Sequence, residues 1–114
     1  MEERRSELRL LCSELITLTV EDAAGWEGTV NLEDISASGA CVQLEQPVPR
    51  SAKVTVWLGG HAFGGTVKHC TQNEIGFFAG IQFDAGMKWS RAIYEPMHLF
   101  DPMQMTQLRS SAAG

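Results

Sequence analysis

Basic side chains are concentrated at the very start of the chain, in the segment EERRSELRL (residues 2–10). Arg4, Arg5 and Arg9 make up a third of the nine basic residues of a protein whose net charge at pH 7 is −5. Because a guanidinium presents a planar fork of donors, clustered arginines are suited to an anion such as a phosphate. Three of them can neutralise only a small anion. The alternative is a solvated N-terminus in which the neighbouring glutamates balance the arginines.

A second polar cluster, DISASG (residues 34–39), follows about 25 residues later. Asp34 and Ser36 are two residues apart, so on an extended backbone their side chains point to the same side. Gly39 permits either a positive φ or a close approach of another group to its backbone. The alternative is an Asx-type turn between two strands.

The composition limits the classes of protein that these clusters can serve. With 114 residues and 44% hydrophobic residues, the chain is predicted to form one globular domain. We expect this domain to cover residues 1–103, including the arginine-rich arm, and residues 104–114 to form a flexible tail. No apolar stretch approaches the length of a membrane span or a signal peptide, which favours the cytoplasm and argues against membrane insertion. The acidic balance argues against a partner made of DNA or RNA.

Neither a metal site nor an enzymatic site is predicted. Cys12, Cys41 and Cys70 contain no C-x-x-C pair, so free thiols are favoured over a zinc site or a disulfide framework. The three histidines are scattered, and Ser36 has none in its local sequence. A catalytic serine needs a positioned base, so catalysis is not expected.

Apolar and polar residues alternate with a period of two between residues 14 and 84, which is typical of half-buried strands. These strands are the elements that must position the polar clusters. The predicted strands cover residues 15–20, 26–32, 40–45, 53–58, 66–71 and 77–83. The glycine-rich GGHAFGG (residues 59–65) predicts a hairpin turn or a bulge. Six short antiparallel strands with one apolar face each most simply close into a small barrel, so the fold class is mainly β.

The pattern changes after the last predicted strand. Residues 87–100 place apolar side chains at near-helical spacing, and Pro96 should end or kink that helix. We expect the helix to pack as a lid over one opening of the barrel.

An Arg-x-x-x-Arg segment before the first strand, followed by Asp-x-Ser-x-x-Gly between two strands of a small antiparallel barrel, resembles the PilZ domain family. The matching segments are RSELR (residues 5–9) and DISASG, and the similarity continues through GIQF (residues 80–83) and the terminal helix. This resemblance implies a bacterial, cytoplasmic receptor for the second messenger cyclic di-GMP, without a cofactor or a metal.

The resemblance also implies roles for individual residues. Arg5 and Arg9 match the two arginines of the family, which suit phosphate oxygens or the O6 and N7 atoms of guanine. Asp34 matches the position that accepts from guanine N1 and N2, and Ser36 adds a hydroxyl. Gly39 leaves room for the base.

Two further ligand contacts extend this hypothesis. Arg4 is a candidate contact to the ligand or to a second, stacked ligand molecule. His69 is a candidate for stacking on a guanine, although a strand histidine is more often accommodated in a barrel wall.

The predicted mechanism is a conformational change. Ligand would bridge the mobile arginine arm to the Asp34 loop, and the ordered arm would signal to an unknown protein partner. One alternative is a PilZ-like adaptor that binds no nucleotide and works by protein contact, through Trp57 and the Met-rich residues 96–105. Another is a small barrel that binds nucleic acid or a different small molecule.

Overall fold

A computed structural model of the protein describes residues 8–21 and 25–102. Its strands are β1 (Leu10–Glu21), β2 (Trp26–Ser36), β3 (Gly39–Leu44), β4 (Lys53–Leu58), β5 (His61–Asn73) and β6 (Gly76–Phe83). They form a closed barrel in the order β1-β2-β3-β6-β5-β4, and every neighbouring pair is antiparallel. The predicted fold class, a six-stranded antiparallel barrel, is confirmed.

The interior of the barrel is filled by alternate residues of each strand. Ile16, Leu18 and Val20 of β1 are buried, as their period of two predicts. The largest side chains with almost no exposed surface are Leu18, Leu32, Ile35, Leu58, Val42, Val54, Val56 and Val67. Because full burial of one such side chain contributes about 1.5–3 kcal/mol, this single core accounts for most of the apolar stabilisation.

Strands β1 and β2 extend beyond their predicted bounds. Each contains a bulge close to the residue at which the predicted strand stops. The β1–β2 pairing shifts between Leu11 and Glu14, and the β2–β3 pairing shifts between Leu32 and Asp34. An extra residue breaks the alternation of inward and outward side chains. A search for period two therefore stops at each bulge, although the strand continues.

Strand β5 also begins earlier than predicted. The turn expected over residues 59–65 is confined to Gly59 and Gly60, whose φ angles are +56° and +90°. The other glycines of that segment lie within β5. A Cβ atom on Gly65 would lie 2.6 Å from the carbonyl oxygen of Gln82, so close approach of the neighbouring strand requires this glycine.

The helix predicted for residues 87–100 is not found, because these residues form turns and irregular backbone. A short turn over residues 90–94 forms hydrogen bonds within the segment, and several other hydrogen bonds of these residues go to the barrel. Met97 N–H donates to Glu14 Oε1 over 2.7 Å, and Phe100 exchanges two backbone hydrogen bonds with Leu11. Pro96 has no backbone N–H, so it cannot donate a helical hydrogen bond. Helical backbone appears only at Pro102, the last described residue.

We call residues 84–102 the C-terminal segment. Trp89 is 5% exposed and joins the barrel core, while its indole N–H donates to the carbonyl oxygen of Tyr94 over 2.8 Å. The hydroxyl of Tyr94 donates to Glu14 Oε2, and this bond raises the pKa of Tyr94 to about 12. The segment therefore packs on the barrel, but it does so without the predicted helix.

Three other features concern the described residues alone. No helix in the described part of the chain is long and apolar enough to cross a bilayer. Within residues 8–21 and 25–102, no three metal-ligating side chains are grouped to hold a metal ion. Cys12, Cys41 and Cys70 are free thiols. The predicted tail, residues 104–114, lies outside the described residues.

Candidate functional site

The predicted arginine and aspartate segments meet at one end of the β1–β2 hairpin. Arg9 precedes β1, and Asp34 lies near the end of β2, so the antiparallel pairing brings them together. Arg9 Nη1 donates to Asp34 Oδ1 over 3.2 Å. The Arg9 side chain is 65% exposed and the Asp34 side chain is 16% exposed. The guanidinium therefore covers a carboxylate that is largely removed from water.

Two opposing effects act on Asp34. Burial raises the pKa of Asp34 above its ordinary value of 3.8, and the charge and hydrogen bond of Arg9 partly offset this rise. A carboxylate that is costly to ionise gains most from donors that satisfy its oxygens. Asp34 is thus suited to accept hydrogen bonds from a ligand as well as from Arg9.

A row of paired residues crosses four strands next to this ion pair. Asp34 of β2 pairs with Cys41 of β3, Cys41 with Gly80 of β6, and Gly80 with His69 of β5. Three inter-strand spacings separate the ends of the row, a distance of about 14 Å along the sheet. The row joins the predicted aspartate to the predicted stacking histidine.

A β-bulge lies at each end of this row. On β2, Leu32 and Ile35 are buried, while Glu33 and Asp34 between them are both partly exposed. On β5 the pairing shifts between Val67 and His69, so that Lys68 and His69 are both exposed. Bulges re-aim side chains in this manner next to binding sites. One end of the row therefore carries two carboxylates, and the other end carries a lysine and a histidine.

An open cavity of about 250 Å³ lies over the row. Its polar lining comes from Arg9, Ser36, Ser38, Lys68, His69 and Gln82. Gly39, Cys41 and Gly80 contribute to its wall. Among the described residues, the lining contains the cations Arg9 and Lys68 and no carboxylate, in a chain of net charge −5. The cavity is thus locally favourable to an anion.

Ser36 and Gly39 have structural contacts of their own. Asp34 and Ser36 lie on the side of β2 opposite to Ile35, which is in the core, and Ser36 is itself buried, with 6% of its surface exposed. The Ser36 hydroxyl donates to the Gly39 carbonyl oxygen over 3.4 Å across the β2–β3 turn. Gly39 has no positive φ. A Cβ atom at Gly39 would lie 2.5 Å from the Ile81 carbonyl oxygen, so this glycine permits close approach of β6.

The side chain of His69 lies over Gly80 of the neighbouring strand β6. Its imidazole ring lies where a side chain at Gly80 would be, so Gly80 must remain without one. The ring is exposed and lines the cavity. This placement leaves a flat aromatic surface beside the space that a ligand would enter.

The thiol of Cys41 is expected to be unreactive. Burial raises the pKa of Cys41 to about 11, and the nearby carboxylate of Asp34 adds to the rise. A protonated thiol behaves as a small apolar group rather than a nucleophile. Cys41 therefore contributes shape to the cavity.

Of the predicted site residues, Arg9, Ser36, Gly39 and His69 line one cavity, and Asp34 holds Arg9 beside it. These roles in ligand binding stay predictions. Arg4 and Arg5 lie outside the described residues.

Three polar residues that line the cavity were not predicted from sequence: Ser38, Lys68 and Gln82. Ser38 lies within the predicted segment DISASG. A signal for Lys68 exists in VKHC (residues 67–70), where two apolar residues enclose two polar ones and interrupt the period of two. Gln82 gives no such signal, because it alternates normally with Ile81 and Phe83.

Fold and site together define a small antiparallel barrel with an anion-accepting cavity on its outer face. The model of the PilZ domain family matches residues 3–91, and the chain belongs to this family. The predicted resemblance is thereby confirmed.

Two solved structures share the fold. The PilZ domain of YcgR from Escherichia coli, solved with c-di-GMP, aligns with a TM-score of 0.55 and 15% identity, over 73% of this chain and 79% of that chain. The Bacillus subtilis inhibitor of motility MotI/DgrA aligns with a TM-score of 0.51 and 15% identity, over 74% of this chain and 46% of that chain. None of the curated proteins matches the sequence.

Proposed function

We propose that this protein is a receptor for cyclic di-GMP that binds the nucleotide in the cavity beside Arg9. The observation that carries the proposal is that Arg9 and His69 line one cavity and that Asp34 forms an ion pair with Arg9 beside it. Membership of the PilZ family and the c-di-GMP in the YcgR PilZ structure support the same ligand.

The chemistry of the nucleotide fits the residues at this site. Arg9 presents donors to phosphate oxygens or to guanine O6 and N7. Asp34 accepts from guanine N1 and N2, which are donors. The Ser36 hydroxyl has acceptor capacity beyond its bond to Gly39. The imidazole of His69 offers a face for stacking.

In the proposed binding event, a guanine edge inserts between Arg9 and Asp34. Both partners exchange one ionic contact for contacts to the ligand, so neither charge is left without a partner. In this proposal Arg4 and Arg5, which precede Arg9 by five and four residues, complete the anion-binding arm from outside the described residues.

The output of binding would pass to a protein partner through the C-terminal segment. Leu11 pairs with Asp34 on one side and with Phe100 on the other. Leu11, Met97 and Phe100 are 38%, 58% and 37% exposed. A change at Asp34 is therefore one paired residue away from an exposed apolar surface, which suits protein contact.

The same surface would serve the alternative function, an adaptor that binds no nucleotide. Thermal unfolding with added nucleotide distinguishes the two. Cyclic di-GMP at 100 times its Kd would stabilise the receptor by about 2.7 kcal/mol. Each kcal/mol raises the Tm of a domain of this size by about 4–8 °C. GMP at the same concentration should give little shift. An unchanged Tm with cyclic di-GMP at millimolar concentration would favour the adaptor.

A further inference from the structure

Lys68 occupies a position that β5 creates by its bulge. In a regular strand, Lys68 and His69 would point to opposite faces. The register shift between Val67 and His69 leaves both side chains outward, while Val67 is 1% exposed and Cys70 packs against the core. The bulge thus brings Lys68 and His69 to the same face of β5, and both line the cavity.

The ammonium of Lys68 is not engaged by a carboxylate within the described residues. The ion pairs formed there by other cations are Arg9–Asp34, Lys53–Asp84 and Arg91–Glu95. Asp84 lines a neighbouring cavity together with Lys68, yet it is paired with Lys53 at 3.4 Å. Lys68 is therefore a cation available to a ligand that fills the cavity.

The two cations of the lining lie on different walls. Arg9 precedes β1, whereas Lys68 belongs to β5, and the row from Asp34 to His69 extends between them. The backbone path along this row is about 14 Å. Because the two cations approach one cavity from different walls, a ligand with two anionic groups on a rigid ring can contact both.

We propose that Lys68 is a second anion-binding residue of this cavity and contacts the phosphate of cyclic di-GMP that faces away from the arginine arm. The inference rests on the proposed function and extends it to a residue outside the two N-terminal motifs. It assigns one cation to each side of a ligand with two phosphates.

The test is calorimetric titration of the full chain with cyclic di-GMP at low and at physiological ionic strength. Lys68→Met keeps the apolar stem and removes the charge, and Lys68→Arg keeps the charge. Lys88→Met is the matched control, because Lys88 is exposed and does not line the cavity. Lys68→Met should raise Kd about tenfold, as expected for a lost hydrogen bond to a charged group. Its Kd should also depend less on salt.

Lys68→Arg should bind within about threefold of the wild type, and Lys88→Met within about twofold, since Lys88 is exposed to solvent and does not line the cavity. Equal losses in Lys68→Met and Lys88→Met would mean a general charge effect and overturn the contact. A loss in Lys68→Arg as large as in Lys68→Met would also overturn it.

The test separates the two proposals. If the wild type binds and Arg9→Ala weakens binding while Lys68→Met does not, the Lys68 inference alone fails. If the wild type does not bind, the proposed function fails and the Lys68 inference with it.

Discussion

Arg9 Nη1 lies 3.2 Å from Asp34 Oδ1, and this ion pair joins two polar segments that are 25 residues apart in sequence. Because the Arg9 side chain is 65% exposed, solvent screens this ion pair, and we expect a contribution to folding near the range of surface pairs, about 0–1 kcal/mol. The pair matters for the proposed function because it lies beside the cavity that Arg9 and Lys68 line.

Removing either partner of this pair should impair binding far more than folding. Arg9→Ala and Asp34→Ala should each raise the Kd for cyclic di-GMP at least about tenfold, because each removes charge-assisted hydrogen bonds. The ligand-free Tm should change little. Arg91→Ala is the matched control, because it removes an exposed arginine that pairs with Glu95 away from the cavity. Wild-type affinity in both site variants would refute the assignment.

Binding should weaken on acidification through Asp34. Burial raises the pKa of Asp34 in the free protein, and guanine donors require the ionised carboxylate. As the pH falls through this raised pKa, protons compete with the ligand, so Kd should increase at a pH above the ordinary aspartate range near 3.8.

Titrations between pH 7 and pH 4 test this prediction, with Asp34→Asn as the control. The variant should bind more weakly at pH 7 and lose this part of the pH dependence. Parallel pH profiles for the two proteins would show that another group is responsible.

Gly39→Ala should destabilise the barrel whether or not ligand is present. The new Cβ would lie 2.5 Å from the Ile81 carbonyl oxygen, so the β3–β6 pairing must shift. Gly28→Ala is a suitable control, because its Cβ meets only the flexible side chain of Trp26. Thermal unfolding should show a lower Tm for Gly39→Ala than for Gly28→Ala. Equal Tm values would show that the β6 backbone yields easily.

Glu14 should control the titration of Tyr94, the single tyrosine of the chain. The hydrogen bond to Glu14 raises the pKa of Tyr94 from 10 to about 12. Because the folded pKa is the higher one, this stabilisation is complete below pH 10 and is lost as the pH rises towards 12.

Ultraviolet absorbance of tyrosinate measures this directly, with circular dichroism at each pH to monitor the fold. Glu14→Ala should bring the midpoint down towards 10 and lower the Tm, since the anchors of Tyr94 and Met97 are both lost. The same midpoint in both proteins would contradict the anchoring role of Glu14.

The barrel could be predicted from sequence because inward and outward residues alternate over most of each strand. Ile16, Leu18 and Val20 show this pattern without interruption. The bulges were not predictable by the same rule, since an extra residue moves Asp34 and His69 out of phase with the preceding residues of their strands. These are the places where the candidate site is built.

The helix prediction failed for a related reason. The spacing of apolar residues predicts which side chains share one face, but it does not predict hydrogen bonds. Met97 and Phe100 form hydrogen bonds with residues of β1, more than 80 residues earlier in the chain. The sequence of residues 87–100 alone does not indicate hydrogen-bond partners that lie so far away in the chain. The clustering of Arg9 with Asp34 was predictable only through the resemblance to PilZ domains.

The proposed function requires that cyclic di-GMP binds in the cavity beside Arg9. Isothermal titration calorimetry of the wild-type chain with cyclic di-GMP, with GMP as the reference ligand, measures this binding. We expect saturable binding heat for cyclic di-GMP, much weaker binding of GMP, and loss of the cyclic di-GMP heat in Arg9→Ala. Absence of binding heat for cyclic di-GMP at several temperatures, with the wild type folded, would contradict the proposed function.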